Sequence, residues 1–202
     1  LNKLKAVAGN RLEQFSLDGV TDKLVPILTA GLNWQAADYT FLRASFGQGY
    51  RFPSIAEKFA STTLGSVKII PNPDILPEEG WSSEIGIKQG LLFGKITGQA
   101  DLSLFLMQNS NLIEFWFGAY TEGVGFRATN IEMARISGAE VEFSLSRTTG
   151  NFSLNATGGY SFIYPVLFDK YTNKSTDVYL KYRRMHSCKV FLVSKWKQFD
   201  LG

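Results

Sequence analysis

Along most of this chain apolar and polar residues alternate one by one. That pattern marks strands whose two faces meet unlike surroundings, because successive strand side chains point to opposite sides. From Lys95 to Asn109 one face reads Ile96, Gly98, Ala100, Leu102, Leu104, Leu106 and the other Lys95, Thr97, Gln99, Asp101, Ser103, before turning apolar at Phe105 and Met107. Asn151 to Tyr164 sets Phe152, Leu154, Ala156, Tyr160 and Phe162 against Ser, Asn, Thr and Gly, and Gly138 to Ser146 sets Ala139, Val141, Phe143 and Leu145 against Glu140, Glu142 and Ser144. Weaker alternation runs over Leu4 to Phe15, Leu24 to Trp34, Thr40 to Tyr50, Trp81 to Gly90 and roughly Lys181 to Trp196. The expectation is about eight strands, all-β, with little helix.

The connections alternate in length. Gln35 to Asp38, Leu91 to Gly94 and Thr148 to Gly150 are short, whereas residues 17–23, 51–80, 116–127 and 165–180 form longer connections. Tight turns at one end and long loops at the other fit an antiparallel transmembrane β-barrel as one domain over residues 1–202. A soluble or surface-attached β-sandwich that binds a ligand also alternates, and a closed eight-stranded barrel is a third arrangement. Three features favour the membrane. Several segments reach the ~9–11 residues a tilted strand needs to cross a bilayer, the polar face of Asn151 to Ser161 suits a wet lumen, and aromatics gather near strand ends as an interfacial girdle would. In that girdle the expectation includes Trp34, Tyr39, Tyr50, Phe52, Phe115, Trp116, Phe117, Tyr120, Tyr160, Phe162 and Tyr164.

Composition narrows this further. The longest unbroken apolar run, Phe162 to Phe168, is seven residues in a chain of 202, far short of the ~20 that a spanning helix needs. A net charge of +3 with no basic block argues against nucleic acid as a partner. The single cysteine, Cys188, excludes a disulfide framework. Leu1 to Asn10 lacks the apolar core of a signal peptide, and the end follows a likely turn at Lys197 to Asp200, so the chain reads as an internal piece of something longer.

The segment from Phe41, FLRASFGQGYRFPSIAEKF followed by IIPNPDILPEEGWSSEIG, carries Gly49, Tyr50, Arg51, Pro53, Asn72, Pro73, Leu76, Pro77, Glu78, Glu84 and Gly86. Downstream come Asn130 and then Ile136, Ser137, Gly138, Ala139, Glu140 and Val141. In these motifs and their spacing the chain resembles the barrel of TonB-dependent outer-membrane receptors. The resemblance implies the C-terminal half of a barrel of twenty-two strands, in the outer membrane of a Gram-negative cell, without its N-terminal plug, TonB-contacting box or closing strands. It implies active transport of a scarce large solute such as a ferric siderophore, a corrinoid or a glycan. The implied partners are outer-membrane lipid, the TonB complex through the plug, and the transported small molecule, with a surface lipoprotein as a further candidate. It implies no cofactor and no enzymatic chemistry.

The residues themselves support that placement. Pro53, Pro71, Pro73 and Pro77 cannot donate to a sheet ladder, so residues 51–80 belong outside the hydrocarbon. Arg43, Glu84, Lys88, Asp101, Glu140 and Glu142 fall opposite the apolar side of their strands, where a lumen would solvate them. Within the long loop, ligand contacts are expected between Ala56 and Ile70, with Glu57, Lys58, Phe59 and Lys68 as candidates, while Arg51, Pro53 and Glu78 could equally brace the rim.

Other constellations give weaker chemistry. Glu140 and Glu142 share a strand face as an acid/base or metal pair would, but lumen charges explain them more simply. His186 and Cys188 supply only two metal ligands. Gly47-Gln-Gly49 and Gly123-Val-Gly125 lack the third glycine of a dinucleotide loop, and Asn151, Asn155 and Asn173 begin N-x-S/T triplets best read as chance. No Ser/His/Asp or Cys/His nucleophile set is present in the sequence pattern.

Overall fold

The computed structural model describes residues 3–201 apart from Asp18, Lys170, Tyr171, Asn173, Lys181, Tyr182 and Gln198. The chain runs through β1 (Leu4–Glu13), a small hairpin of β2 (Ser16–Leu17) and β3 (Val20–Thr21), β4 (Val25–Ala37) and β5 (Thr40–Arg51). It continues through helix α1 (Ile55–Phe59), β6 (Thr62–Leu64), β7 (Val67–Ile70), β8 (Glu78–Phe93) and β9 (Ile96–Tyr120). The last elements are β10 (Gly123–Thr149), β11 (Phe152–Asp169), β12 (Lys174–Tyr179), β13 (His186–Trp196) and β14 (Phe199–Leu201).

All eight expected strands are present, as β1, β4, β5, β8, β9, β10, β11 and β13, and they pair in chain order into one antiparallel sheet that β14 extends. A β-sandwich would divide its strands between two stacked sheets. Here the long strands form a single curled wall, half of a barrel, and its polar face has no second layer of strands against it.

The registers align residues into rows that run across the wall. One row is Phe41, Lys88, Asp101, Glu142, Gly159, Lys189, on one side of the sheet. The neighbouring row, on the opposite side, is Leu42, Ile87, Leu102, Val141, Tyr160, Cys188. The outward apolar rows extend from Phe93 and Phe152 at the short-turn end to the level of Phe46, Leu106 and Tyr164. From Phe93 to Ser83, a rise of about 3.3 Å per residue tilted by about 40° gives a band about 25 Å tall, the height of a hydrocarbon belt. The belt is largely uncovered: Leu102, Leu104 and Leu192 are 43%, 50% and 60% exposed, as lipid-facing side chains of a barrel wall are.

The structure differs from the sequence-based expectation in the connections. Residues 116–127 are a tight hairpin, with β9 running to Tyr120 and β10 resuming at Gly123, whose φ is 129°. Outside a bilayer nothing enforces strict alternation, and Gly118, Gly123 and Gly125 dilute what remains, so the pattern looks like a loop. Phe115, Trp116, Phe117 and Tyr120 are consequently not girdle residues, since the same rise and tilt carry Phe117 on the order of 25 Å beyond Leu106. Residues 165–180 are likewise strand through Asp169, returning as β12. Pro165 is tolerated because its carbonyl accepts from Leu180 N where the ladder passes from β13 to β12, so its nitrogen, on the same side, faces a gap in the pairing. Residues 51–80 hold α1 and the β6–β7 hairpin, although each of their four prolines lies outside any strand or helix. The expected start at Lys181 and the Asn173 triplet lie outside the described residues. The closing turn begins at Lys197, and Phe199 already belongs to β14.

Dense burial lies at the long-loop end. Ile70, Ile75, Ala128, Ala134, Val166 and Phe168 are each at most 5% exposed, a small core formed where the loop returns over the extended ends of β10 and β11.

Replacing Leu104 with Arg should cost about 2–4 kcal/mol at the belt midplane, whereas Gln99→Arg on the polar face should be within ~0.5 kcal/mol of the parent. Reversible unfolding of the full-length barrel in lipid measures both, and equal costs would overturn the assignment of faces. Ser103→Arg is the wrong polar-face control, because Ser103 is only 4% exposed.

Candidate functional site

The polar face carries an ion-pair bridge. Arg43 on β5 donates through Nε to Glu84 Oε1 on β8 at 3.0 Å and through Nη1 to Asp101 Oδ2 on β9 at 2.6 Å. It crosses β8 directly above Gly86, where a Cβ would stand 2.7 Å from the guanidinium carbon. Gly86 is therefore required by the close approach of a side chain, and with Arg43 overhead its cross-strand neighbour Ser103 is buried. Gly138 plays a similar part for the Phe105 ring, and Glu140 accepts from Ser161 Oγ at 3.0 Å. These contacts shape a charged inner wall on which Lys88, Glu142 and Lys189 also stand.

Beyond the belt, the motif residues build a second cluster. Arg51 at the end of β5 donates from Nε and Nη2 to Glu78 at 2.7 and 2.9 Å and from Nη1 to Glu57 at 3.0 Å. Ser54 and Glu57 form a reciprocal cap on α1, with Ser54 N donating to Glu57 Oε2 at 2.7 Å and Glu57 N donating to Ser54 Oγ at 3.2 Å. Glu78 also accepts from Ile113 N at 2.7 Å, which ties the loop to β9. Burial raises the carboxyls of Glu57 and Glu78, but the Arg51 guanidinium and the N–H and O–H donors outweigh it and hold both below the ordinary range. Arg51 is pushed up mainly by its hydrogen bonds to Glu78 and Glu57.

The second motif locks the returning strand of the loop. Asn72 Nδ2 donates to Ala128 O at 2.8 Å, and Asn130 pairs with the Leu76 backbone in both directions at 2.8 and 2.9 Å while also donating to Asn111 O. Asn111 itself has φ 57°. Pro73 and Pro77 flank these contacts outside any strand, Pro53 is buried at the loop entry, and Tyr50 packs edge-on against Phe52 at 4.8 Å. Gly49 sits in open strand with nothing where its Cβ would be. The two motifs, separated by more than fifty residues, meet as one brace over the inward face of β9 and β10.

The expected ligand-contact residues fare unevenly. Glu57 is committed to Arg51 and Ser54, and Lys68 donates from Nζ to Glu122 O at 2.6 Å. The Lys58 carbonyl accepts from Asn72 N at 2.9 Å, while Phe59 stays 46% exposed. The Ser54-Ile-Ala-Glu57 spacing of the cap was present in the sequence but its partner Arg51 could be found only in three dimensions. His186 Nδ1 lies 2.7 Å from Tyr160 OH on the outward face. Among the described residues no three His, Cys, Asp or Glu side chains are grouped to hold a metal. The two Gly-x-Gly segments lie in strands, where Gly125 admits the Lys68 backbone as β7 pairs in parallel with β10.

Comparison with known proteins bears on this arrangement. Residues 1–197 match the family described as TonB dependent receptor-like, beta-barrel. The Vitamin B12 transporter BtuB of Vibrio vulnificus (strain YJ016) is 29% identical over 112 residues, 55% of this chain and 16% of that protein. The Serratia marcescens hemophore receptor HasR, solved as a double mutant with its hemophore HasA and heme, aligns with a TM-score of 0.62 at 15% identity, over 97% of this chain and 37% of that one. The copper transporter OprC aligns with a TM-score of 0.65 at 19% identity, over 96% and 30%. The chain thus spans about a third or less of the length of these proteins, and the structural likenesses speak for the fold.

Arg51→Ala should leave two half-buried carboxylates uncompensated and loosen residues 54–77 by about 1–2 kcal/mol, read as faster amide exchange there with the wall unchanged. The pH dependence has a fixed sign. Both carboxyls are depressed in the folded state, so their contribution is complete above the unfolded value of about 4.3 and is lost as pH falls through the folded values. Exchange in residues 54–77, corrected for its intrinsic pH dependence, should be flat from pH 8 to 5 and rise only in more acid solution, and a rise near pH 6 would contradict the brace.

Proposed function

The chain belongs to the TonB-dependent receptor-like β-barrel family, and from that premise we propose that it is part of an outer-membrane receptor that captures a scarce, large solute and imports it with energy delivered through TonB. The observation that carries this reading is the division of the wall. A belt about 25 Å tall faces outward, a charged face lies inward, and long braced connections crowd one end. In this reading the belt meets outer-membrane lipid of a Gram-negative cell, the short turns are periplasmic and the braced loops extracellular.

Each face then has a task. The lipid face can tolerate only apolar side chains, so the polar groups that hold a plug must stand on the inner wall, where Arg43, Glu84, Asp101, Lys88 and Glu142 stand. The Arg51 brace keeps the outer mouth ordered before solute arrives, which lowers the ordering cost of capture. The Vibrio vulnificus relative makes a corrinoid the first solute to test, with a ferric siderophore, heme, copper or a glycan as further candidates, and a surface lipoprotein as a possible capture partner. Family members are transporters and receptors, so no covalent chemistry is assigned to the wall.

Cells that express the full-length protein but lack TonB should still adsorb the solute and fail to internalise it, whereas unimpaired internalisation would favour passive diffusion. Cysteine placed at Ser61 or Thr62 should be labelled from outside intact cells. Protection of both until the outer membrane is permeabilised would invert the topology.

A further inference from the structure

The β9–β10 hairpin carries an aromatic surface far outside the belt. Its register keeps one offset from the Ile96–Arg147 pair to the Tyr120–Gly123 pair. Phe115, Phe117, Val124 and Phe126 therefore stand on the same side of the sheet as Asp101 and Glu142, facing inward over the mouth. They are 50%, 52%, 48% and 42% exposed, and the Phe117 and Phe126 rings lie 5.0 Å apart, tilted by 57°. Ile69 of β7 pairs beside Phe126 and widens the patch. Just below, the same face is covered by the brace, with Ala128 fully buried. The aromatic patch is where that cover ends.

Lipid does not account for this surface, because it lies on the order of 25 Å past the belt. A macromolecular partner would require about 800 Å² from this side, whereas three half-exposed phenylalanines and a valine offer roughly 300–400 Å². No charged side chain stands among the four, and the opposite face of the hairpin holds Trp116, Tyr120 and Arg127, with Arg127 over the Tyr120 ring at 5.6 Å. We propose that Phe115, Phe117 and Phe126 form the platform on which the outer mouth receives a solute with a flat, apolar or conjugated face, and that this hairpin, rather than residues 56–70, sets specificity. This rests on the receptor reading and narrows its solute class. A sugar chain, hydrated all round, gains little from three edge-tilted rings, whereas a macrocycle or aryl chelate buries a whole face.

The test uses the full-length receptor in cells lacking TonB, with cyanocobalamin and haemin as separate probes and adsorption as the readout. Wild type should capture at least one probe, and the double variant Phe117→Ser, Phe126→Ser should bind it at least tenfold more weakly. Trp116→Ser on the opposite face should stay within about twofold, and Phe117→Leu, Phe126→Leu should fall between. Heat-modifiable migration of each variant on gels verifies a folded barrel. Unchanged capture by the double serine variant, an equal loss in Trp116→Ser, or capture of neither probe by wild type overturns the proposal. So does normal solute capture combined with loss of a cell-surface protein partner. TonB dependence of uptake is scored separately in wild-type cells, so a TonB-dependent receptor that takes only maltodextrins would sink this inference and leave the receptor reading standing.

Discussion

Every backbone N–H and C=O in the belt needs a partner, because hydrocarbon offers none and each orphan costs several kcal/mol. A sheet whose strands pair with their neighbours in chain order meets that demand. Much else in the structure follows from it. The strands must be long enough to cross, their side chains must divide strictly between lipid and lumen, and proline inside a strand is tolerated only where the ladder has a gap, as at Pro165. A one-residue slip between any two strands would carry Asp101 or Glu142 to the lipid side, so the registers are fixed by the cost of exposing charge to hydrocarbon.

Once the belt is fixed, the inner face is free to be polar, and its organisation depends on small residues at crossings. Arg43 reaches two strands away only because Gly86 offers no side chain in between. The gain from such pairs is moderate, since they are half-exposed. Their larger effect is to hold long side chains against the wall, leaving a defined surface.

Past the belt the constraint lifts and the structure changes character. β9 and β10 continue as a hairpin in water, a loop folds back over them, and buried apolar contacts reappear around Ile70, Ile75 and Val166. The ion pairs of Arg51 and the side-chain amides of Asn72 and Asn130 do there what the continuous ladder does in the membrane, fixing irregular backbone by satisfying its polar groups. A mouth ordered in this way can present aromatic rings to water without collapsing them into a core.

The sequence by itself determined the eight strands, their order, the face of every charged residue in the belt and the ends at which long connections gather. These are consequences of alternation, and alternation is written residue by residue wherever two solvents flank a strand. Residues 116–127 and 165–180 escaped because one solvent lies on both sides there, so strand leaves no periodic trace. Tertiary structure alone decided that Arg51 meets both Glu57 and Glu78, that Gly86 lies beneath Arg43, and that Asn72 and Asn130, far apart in the chain, close the same loop. Such contacts depend on where the sheet's registers and the loop's path bring distant backbone together, and no local pattern of residue types encodes that distance.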